Sequence, residues 1–192
     1  MKPEELGAYY ESILDEEARK EDGVYYTPQY IVDYIVEHTV GKLLQGKTPE
    51  EAARIKVVDP ACGAGIFLLG AYQYLLDWHE KHSGKLTLIK RRKILKDNIF
   101  GVDIDPIAIG ITKYCLTMQC TNGKDFSIGL DGNICCGNAL EDEVWHLEFT
   151  DILKKDKFDL VIGNPPYVDY RYLDPQSVQY FKARYSPSLS IG

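Results

Sequence analysis

The sequence Asn164-Pro165-Pro166-Tyr167 combines residue types that could hold a single planar amino group. Each proline fixes its own φ and favours extended geometry in the residue before it, which restricts how the Asn164 side chain and the Pro165 carbonyl are placed. An amide oxygen and a nearby carbonyl can accept two hydrogen bonds from one NH2 group, and the Tyr167 ring can lie against the flat molecule that carries this group. The alternative interpretation is an ordinary Pro-Pro turn that ends a strand.

A second candidate site is the loop Asp59-Pro60-Ala61-Cys62-Gly63-Ala64-Gly65, which follows the apolar run Ile55-Lys56-Val57-Val58. The pattern predicts a strand, a tight glycine loop and a long helix that begins near Ile66. Glycines let the backbone pass close to a ligand, and the first turn of a helix presents unpaired N–H groups there. An ordinary strand-to-helix turn is the alternative, and the G-x-G-x-x-G spacing of nicotinamide dehydrogenases is absent.

Two more polar side chains follow predicted strands. Asp103 ends the run Asn98-Ile99-Phe100-Gly101-Val102, and Asn138 comes shortly after Asn133-Ile134-Cys135-Cys136. Because Asp105-Pro106 can start the next helix as N-cap and first-turn proline, we expect Asp103 to be free to bind a ligand. A carboxylate at this position commonly accepts hydrogen bonds from the ribose hydroxyls of a nucleoside. The alternative is a turn or second cap, and a D-x-D metal site is disfavoured because the strand-to-helix change turns the two side chains apart.

The elements that must position these residues alternate along the chain. Strands are predicted near residues 56, 100, 134 and 160, and helical patterns separate them. The last strand, residues 158–162, is predicted to be buried because its run is apolar and β-branched. This alternation predicts an α/β fold with a parallel, doubly wound sheet, in which ligands bind outside the carboxyl ends of the strands. The polar residues at those ends are Asp59, Asp103, Asn138 and Asn164.

Helices are also predicted before the first strand. Helical spacing indicates an amphipathic helix over residues 3–21 and a second helix that continues to about Leu44. Thr27 can cap the second helix and Pro28 can begin it. Thr48-Pro49-Glu50-Glu51 has the pattern of a capping box and predicts a short helix to about Arg54.

The composition, with 45% hydrophobic and 27% charged residues, is typical of a globular protein. No apolar run is long enough to cross a bilayer, and the N-terminus lacks a signal-peptide core, so we expect a cytoplasmic protein. The formal charge of −7 argues against a module that binds phosphate backbone by itself. The five cysteines form no C-x-x-C pair, and His79 and His82 are interpreted as part of a solvated helix face. We therefore predict no metal site.

Taken in their order along the chain, the motifs resemble those of amino-group DNA methyltransferases that act on adenine, in particular the restriction-modification methylases of the Eco57I type. The resemblance covers residues 23 to about 185. Gly23-Val24-Tyr25-Tyr26-Thr27-Pro28 is similar to the N-terminal cofactor motif of the family, and Asp59–Gly65 to its S-adenosylmethionine loop. Gly101-Val102-Asp103-Ile104-Asp105-Pro106 is similar to the ribose-binding motif, and Asn164–Tyr167 to the catalytic signature.

The resemblance implies a Rossmann-like fold and the cofactor S-adenosyl-L-methionine. Thr27 and the loop near Ala61 and Gly63 would hold the methionine part, Asp103 the ribose and Ile104 one face of the adenine. Many relatives carry aspartate where this chain has Asn138, although an amide can still accept a hydrogen bond from the adenine amino group. The complete set of cofactor-binding residues implied in this way is Tyr26, Thr27, Asp59, Pro60, Ala61, Cys62, Gly63, Gly65, Asp103, Ile104, Asn138 and Ala139.

The reaction implied by the resemblance is methyl transfer to the exocyclic amino group of a flipped adenine in double-stranded DNA. Asn164 and the Pro165 carbonyl would accept the two amino protons, Pro166 would complete the motif and Tyr167 would stack on the base. The chain would divide into an N-terminal helical segment with the methionine-binding motif, residues 1–54, and a partial catalytic domain, residues 55–192, without a target-recognition domain.

We therefore expect the chain to be the N-terminal part of a larger methyltransferase, with a helix near residues 180–185 and an unfinished sheet edge that could support self-association. One alternative is a protein glutamine methyltransferase, because a glutamine amide presents the same NH2 geometry to Asn164. The Tyr-Thr-Pro motif and the Asp-Pro-Ala-Cys-Gly form of the loop argue against it. A non-catalytic module that binds the cofactor or assists assembly is the other alternative.

Overall fold

A computed structural model describes residues 27–124, 127–155, 157–167 and 175–185. These residues fall into two compact units, one from residue 27 to Pro165 and one that begins at Pro166. The predicted helix over residues 3–21 and the predicted cofactor residue Tyr26 lie outside the described residues. None of the helices in the described ranges is long and apolar enough to cross a membrane.

The sheet of the first unit has four parallel strands in the order β3-β2-β1-β4. They are β1 Val57–Asp59, β2 Ile99–Asp103, β3 Ile134–Cys136 and β4 Leu160–Val161. Val57 of β1 lies opposite Ile99 on one side and Leu160 on the other. The chain thus proceeds outward from β1 to β3 and then returns to the opposite side of β1 for β4. The switch point between β1 and β4 is where open α/β sheets bind ligands.

Five helices belong to one face of this sheet. They are α1 Gln29–Leu44, α2 Pro49–Ala52, α3 Ile66–Ser83, α4 Leu88–Asn98 and α5 Pro106–Thr121. Their apolar side chains form the main core with alternate strand residues, among them Val57, Ile99 and Ile134. Helix α1 contributes a stripe with helical spacing that includes Val32, Val36 and Val40.

Two shorter helices, α6 Asp142–Glu148 and α7 Thr150–Lys155, supply side chains to a second core on the opposite face. Side chains alternate between the two faces along each strand, so Val58, which follows Val57, and Phe100, which follows Ile99, belong to the second core. There they cluster with Val144 and Phe149. The rings of Phe100 and Phe149 meet edge to face with centroids 6.0 Å apart. Helices on both faces of a parallel sheet confirm the predicted doubly wound α/β fold.

The predicted helix starts have mixed outcomes. Thr48 forms the expected capping box, in which its hydroxyl accepts the Glu51 N–H and the Glu51 carboxylate accepts the Thr48 N–H. Asp105 caps α5 by accepting the Ile107 N–H at 2.8 Å. The predicted cap at Thr27 is wrong, because α1 begins at Gln29 with Pro28 as its N-cap and no side-chain cap.

The fourth strand is shorter and more exposed than predicted. Only Leu160 and Val161 pair as a strand, and Val161 is 65% exposed, whereas Ile162 is buried. Within the described residues β4 pairs on one side only, and Val161 lies on the face of the second core but outside that cluster. Val161 therefore forms part of the predicted strand but is not buried as predicted, because it lies at the edge of the described sheet.

The interpretation of His79 as part of a solvated helix face is also wrong. Its side chain is 6% exposed and its ring meets Trp78 edge to face, whereas His82 is exposed and stacks on the same tryptophan. Burial lowers the pKa of His79. Over the described ranges, no three His, Cys, Asp or Glu side chains are grouped so that they could hold a metal ion.

The second unit contains Pro166, Tyr167 and helix α8, Pro175–Tyr185. This helix confirms the prediction of helical structure near residues 180–185. Tyr167 is 73% exposed.

Candidate active site

The glycine loop, residues 59–65, is held by hydrogen bonds to elements that are distant in the sequence. The Cys62 N–H donates to the Val102 carbonyl of β2 at 2.9 Å. The Thr112 hydroxyl of α5, which is completely buried, donates to the Gly63 carbonyl at 2.7 Å. Because a buried polar group without a partner is costly, these bonds fix the path of the loop backbone.

Two glycines at the loop are required by packing. Gly65 has φ +86°, and a Cβ atom there would lie 2.8 Å from both Oγ1 and Cγ2 of Thr112. A Cβ atom on Gly101 of β2 would lie 2.7 Å from Leu68 Cδ1 and 3.1 Å from Cys62 Sγ. The glycine pattern that suggested close approach of a ligand is therefore also explained by close approach of β2, α3 and α5 to the loop.

Asp103 at the end of β2 is not free, contrary to the prediction. Its Oδ2 atom accepts the Gly63 N–H at 2.7 Å, and its Oδ1 atom accepts the Asp105 N–H at 2.9 Å. The reason is that two backbone N–H groups, one from the glycine loop and one from the start of α5, need acceptors at this edge. Each carboxylate oxygen can accept a further hydrogen bond, so a role in ribose binding stays a prediction.

Asp59 at the end of β1 is the most deeply buried acidic group of the site, with 1% of its side chain exposed. Its Oδ1 atom accepts the Ala61 N–H at 3.0 Å. The pKa of this carboxyl is raised to about 7, mainly because the group is buried and to a lesser extent because of the nearby charge of Asp103, although the bond from Ala61 acts to lower it. The carboxyl also lies against Gly163, where a Cβ atom would overlap Oδ1 and lie 2.9 Å from Cγ.

Asn164 lies at the exposed tip that follows β4. The Ile162 N–H donates to the Val58 carbonyl at 2.9 Å, so pairing with β1 extends to the base of this tip. The Asn164 amide nitrogen Nδ2 donates to Thr27 Oγ1 at 3.4 Å, a long hydrogen bond. Thr27 is itself buried, whereas Asn164 is exposed. Pro165 is exposed beside it.

Asn138 and Ala139, which follow β3, both bond within the turn that leads to α6. Asn138 Oδ1 accepts the Leu140 N–H at 3.0 Å, and its Nδ2 donates to Glu141 at 2.9 Å. The Ala139 carbonyl accepts the Trp145 indole N–H at 2.8 Å. These contacts give both residues a structural role, and their predicted roles toward a ligand stay predictions.

The structure therefore brings together most of the predicted residues of the first unit. Asp59, the glycine loop and Asp103 are directly bonded to one another or to shared neighbours, and Asn164 adjoins Thr27. Ile104 is 71% exposed, which leaves an apolar surface after β2. Pro166 and Tyr167 belong to the second unit, and their roles stay predictions.

The sequence patterns did not indicate two residues of the site. Thr112 holds the glycine loop, and Gly163 adjoins Asp59. The sequence signals were a threonine in an apolar helix and a glycine directly before the Asn-Pro-Pro-Tyr motif.

Comparison with protein families gives a match of residues 1–189 to the family described as N-6 DNA Methylase. The chain is 30% identical to the Type II restriction enzyme and methyltransferase RM.Eco57I of Escherichia coli, over 94% of the chain and 23% of that protein. It is 26% identical to the adenine-specific methyltransferase PglX of Streptomyces coelicolor, over 85% of the chain and 16% of that protein. The chain thus spans less than a quarter of the length of these relatives.

Two solved structures share the fold. The Type IIL restriction-modification enzyme MmeI, solved in complex with DNA, superposes with a TM-score of 0.65 at 21% identity, over 99% of this chain and 29% of that one. A nuclease-deletion mutant of the Type ISP enzyme LlaGI, solved with a DNA substrate mimic, gives a TM-score of 0.56 at 18% identity, over 83% and 15% of the two chains. At these identities the likeness establishes the fold alone.

Proposed function

Because the chain belongs to the N-6 DNA methylase family, we propose that it carries the catalytic residues of a site-specific DNA adenine methyltransferase of a restriction-modification system. The reaction is methyl transfer from S-adenosyl-L-methionine to the exocyclic amino group of an adenine flipped out of double-stranded DNA. One observation carries the proposal. Asn164 leaves the sheet at the switch point between β1 and β4, where Gly163 lies against Asp59 at the start of the glycine loop.

The donor set at this edge fits S-adenosyl-L-methionine. Asp103 offers carboxylate oxygens with remaining acceptor capacity for hydroxyl groups, and Ile104 offers an exposed apolar side chain for an aromatic ring. The glycine loop presents backbone N–H and carbonyl groups, and Thr27 presents a hydroxyl for polar groups of an amino acid. When bound, this cofactor supplies an electrophilic methyl group on a sulfonium.

Asn164 and Pro165 perform the chemistry assigned to the protein itself. The Asn164 Oδ1 atom and the Pro165 carbonyl accept hydrogen bonds from the two N–H groups of the target amino group, which draws its nitrogen toward tetrahedral geometry and makes its lone pair available. The methylated nitrogen then releases one proton to water. The two prolines limit the motion of both acceptors, so positioning and preorganised hydrogen bonds lower the barrier without a strong general base. Tyr167 is assigned to stacking on the flipped base on the strength of the family motif.

In this proposal residues 1–54 supply the N-terminal methionine-binding motif, and residues 55–192 supply the glycine loop, the ribose and adenine side of the cofactor site and the catalytic motif. Double-stranded DNA is the partner, and the cytoplasm is the location. The formal charge of −7 implies that this stretch of chain does not provide the main phosphate-binding surface.

The test replaces Asn164 by alanine in the intact protein. We expect methyl transfer from tritiated cofactor to DNA to fall by at least about 100-fold, because one of the two hydrogen-bond acceptors for the target amino group is lost. Cofactor affinity, measured by calorimetry, should stay within a few-fold. Gln45→Ala is the matched control, since Gln45 is an exposed amide at the far end of α1.

Two results would overturn the proposal. The first is near-normal turnover of the Asn164→Ala protein on DNA. The second is labelling of a glutamine-containing peptide in preference to DNA by the unmutated protein.

A further inference from the structure

Asp59 is placed in an unusual way for a residue of a cofactor loop. Its side chain is 1% exposed, so it presents almost no surface to a bound molecule. Its carboxyl instead contacts two pieces of backbone. On one side Oδ1 accepts the Ala61 N–H of the glycine loop, and on the other the carboxyl lies against Gly163.

The strand register explains why Gly163 lies there. Val58 pairs with Val161 and the Ile162 N–H donates to the Val58 carbonyl, so Ile162 is level with Asp59 in the register. Gly163 follows Ile162 directly and therefore lies beside Asp59 just beyond the paired residues. A Cβ atom on Gly163 would overlap Oδ1 and lie 2.9 Å from Cγ and 3.1 Å from Oδ2. The whole carboxyl group therefore occupies the space that a side chain at residue 163 would need.

We infer that Asp59 is a positioning residue for Asn164, whose buried carboxyl connects the glycine loop to the backbone of Gly163 and thereby sets the place of the adjacent catalytic amide. This inference rests on the proposed function. It assigns Asp59 a role in placing the catalytic tip, whereas the sequence resemblance implies a role in binding the cofactor. The Asp59 side chain is held by the Ala61 N–H and packs against Gly163. It therefore limits the backbone torsions of Gly163 that would move Asn164.

The carboxyl of Asp59 accepts the Ala61 N–H, and the Asp103 carboxylate and the Cys62 thiol lie near enough to interact with its charge. Within the ranges that the structure describes, no ion pair joins Asp59 to a basic side chain. Burial raises the pKa of Asp59, so the neutral acid is favoured over a wider pH range than in water.

The experiment compares Asp59→Ala, Asp59→Asn and Gly163→Ala in the intact protein. At saturating cofactor, we expect single-turnover methyl transfer to DNA to fall by about 10-fold or more in Asp59→Ala, because the support of Gly163 is removed. Gly163→Ala should show a similar loss, because its Cβ atom displaces the carboxyl. Asp59→Asn should retain the rate within a few-fold, since the amide has nearly the same shape. Cofactor affinity should change less than about 3-fold in all three.

Gly110→Ala is the control for the glycine substitution, because a Cβ atom on Gly110 meets no heavy atom within 4 Å. Hydrogen exchange of the amides of residues 160–164 provides a readout that is independent of activity. We expect faster exchange there in Asp59→Ala and Gly163→Ala, and no faster exchange in Asp59→Asn and Gly110→Ala. If Asp59→Ala does not fold, Gly163→Ala and Asp59→Asn decide the outcome.

A fall of 10-fold or more in the cofactor affinity of Asp59→Asn, with normal rates at saturation, would overturn the inference and make Asp59 a cofactor ligand. Unchanged rate and unchanged exchange in both Asp59→Ala and Gly163→Ala would also overturn it. Failure of the proposed function gives a different result, since the unmutated protein would then not methylate DNA while the exchange at residues 160–164 still depended on Asp59.

Discussion

The glycine loop and the catalytic tip differ in how they are held, although both lie at the same edge of the sheet. The loop is bonded to β2 through Cys62 and Gly63 and to α5 through Thr112, and a side chain on Gly65 would have no space. The tip at Asn164 is exposed, and the described contacts at its base are the Asp59 carboxyl and the Thr27 hydroxyl.

This difference agrees with the proposed roles of the two regions. A loop that must keep one shape gains from many buried bonds, because each unsatisfied polar group would cost about 1–3 kcal/mol. A tip that must grip a base from DNA has to project into solvent. We therefore expect substitutions at the loop to affect stability first and substitutions at the tip to affect activity first.

The largest effect on stability is expected for Gly65→Ala. Its φ of +86° disfavours any side chain, and the new Cβ atom would press on the buried Thr112. We expect a loss of about 3 kcal/mol in the free energy of unfolding, measured by urea denaturation. Gly110→Ala in α5 should be neutral or slightly stabilising. A loss below about 1 kcal/mol in Gly65→Ala would mean that the loop adjusts easily and would remove the contrast with the tip.

The second effect depends on pH and concerns Asp59, which touches both regions. Its pKa is raised from an ordinary value of 3.8 to about 7 in the folded chain, so between about pH 4 and pH 7 the folded chain retains a proton that the unfolded chain releases. This contribution to stability is complete below pH 4 and is lost as the pH rises through 7.

Asp59→Asn lacks this titration. Relative to the unmutated chain, we expect it to gain on the order of 2 kcal/mol of stability between pH 5 and pH 8, because the penalty for a buried charge is absent. Urea midpoints at the two pH values measure the difference. A constant difference at both pH values would show that Asp59 titrates normally and is not held in a dry contact with Gly163.

A smaller loss of stability is expected for Thr112→Val, which removes the hydroxyl that donates to Gly63. The unpaired carbonyl should cost about 1–2 kcal/mol in thermal or urea unfolding. Thr112→Ser keeps the hydroxyl and should retain most of the loop stability. An equal loss in Thr112→Ser, which keeps the hydroxyl and lacks the methyl group, would show that packing of the methyl group matters as much as the hydrogen bond.

The smallest effect on stability is expected at the tip, for Thr27→Val. The hydrogen bond to Asn164 is long, at 3.4 Å, so we expect less than about 1 kcal/mol of lost stability. If the hydroxyl orients the amide, single-turnover methyl transfer at saturating cofactor should fall several-fold and Thr27→Ser should restore it. A change in cofactor affinity alone would instead support the methionine-binding role implied by the family motif.

Much of the fold followed from local patterns. Short, mostly apolar runs before polar residues predicted the four strands, and Thr48 and Asp105 predicted helix starts that the structure contains. Thr27 is not the cap because α1 begins at Gln29, and its hydroxyl instead meets Asn164, which is 137 positions away. His79 and Val161 show the same limit, since burial depends on what covers a residue and not on the residue type.

By itself the sequence determined the order of strands and helices, the parallel sheet and the alignment of Asp59, Asp103, Asn138 and Asn164 with the strand ends, because each depends on residue types close together in the chain. Only the tertiary structure decided what these side chains bind. Asp103 accepts a bond from Gly63, 40 positions earlier, and Thr112 bonds to the same glycine across 49 positions. The buried contact of Asp59 with Gly163 likewise exists only because β4 returns to pair with β1. Such contacts depend on which strands are neighbours, and no local residue pattern specifies them.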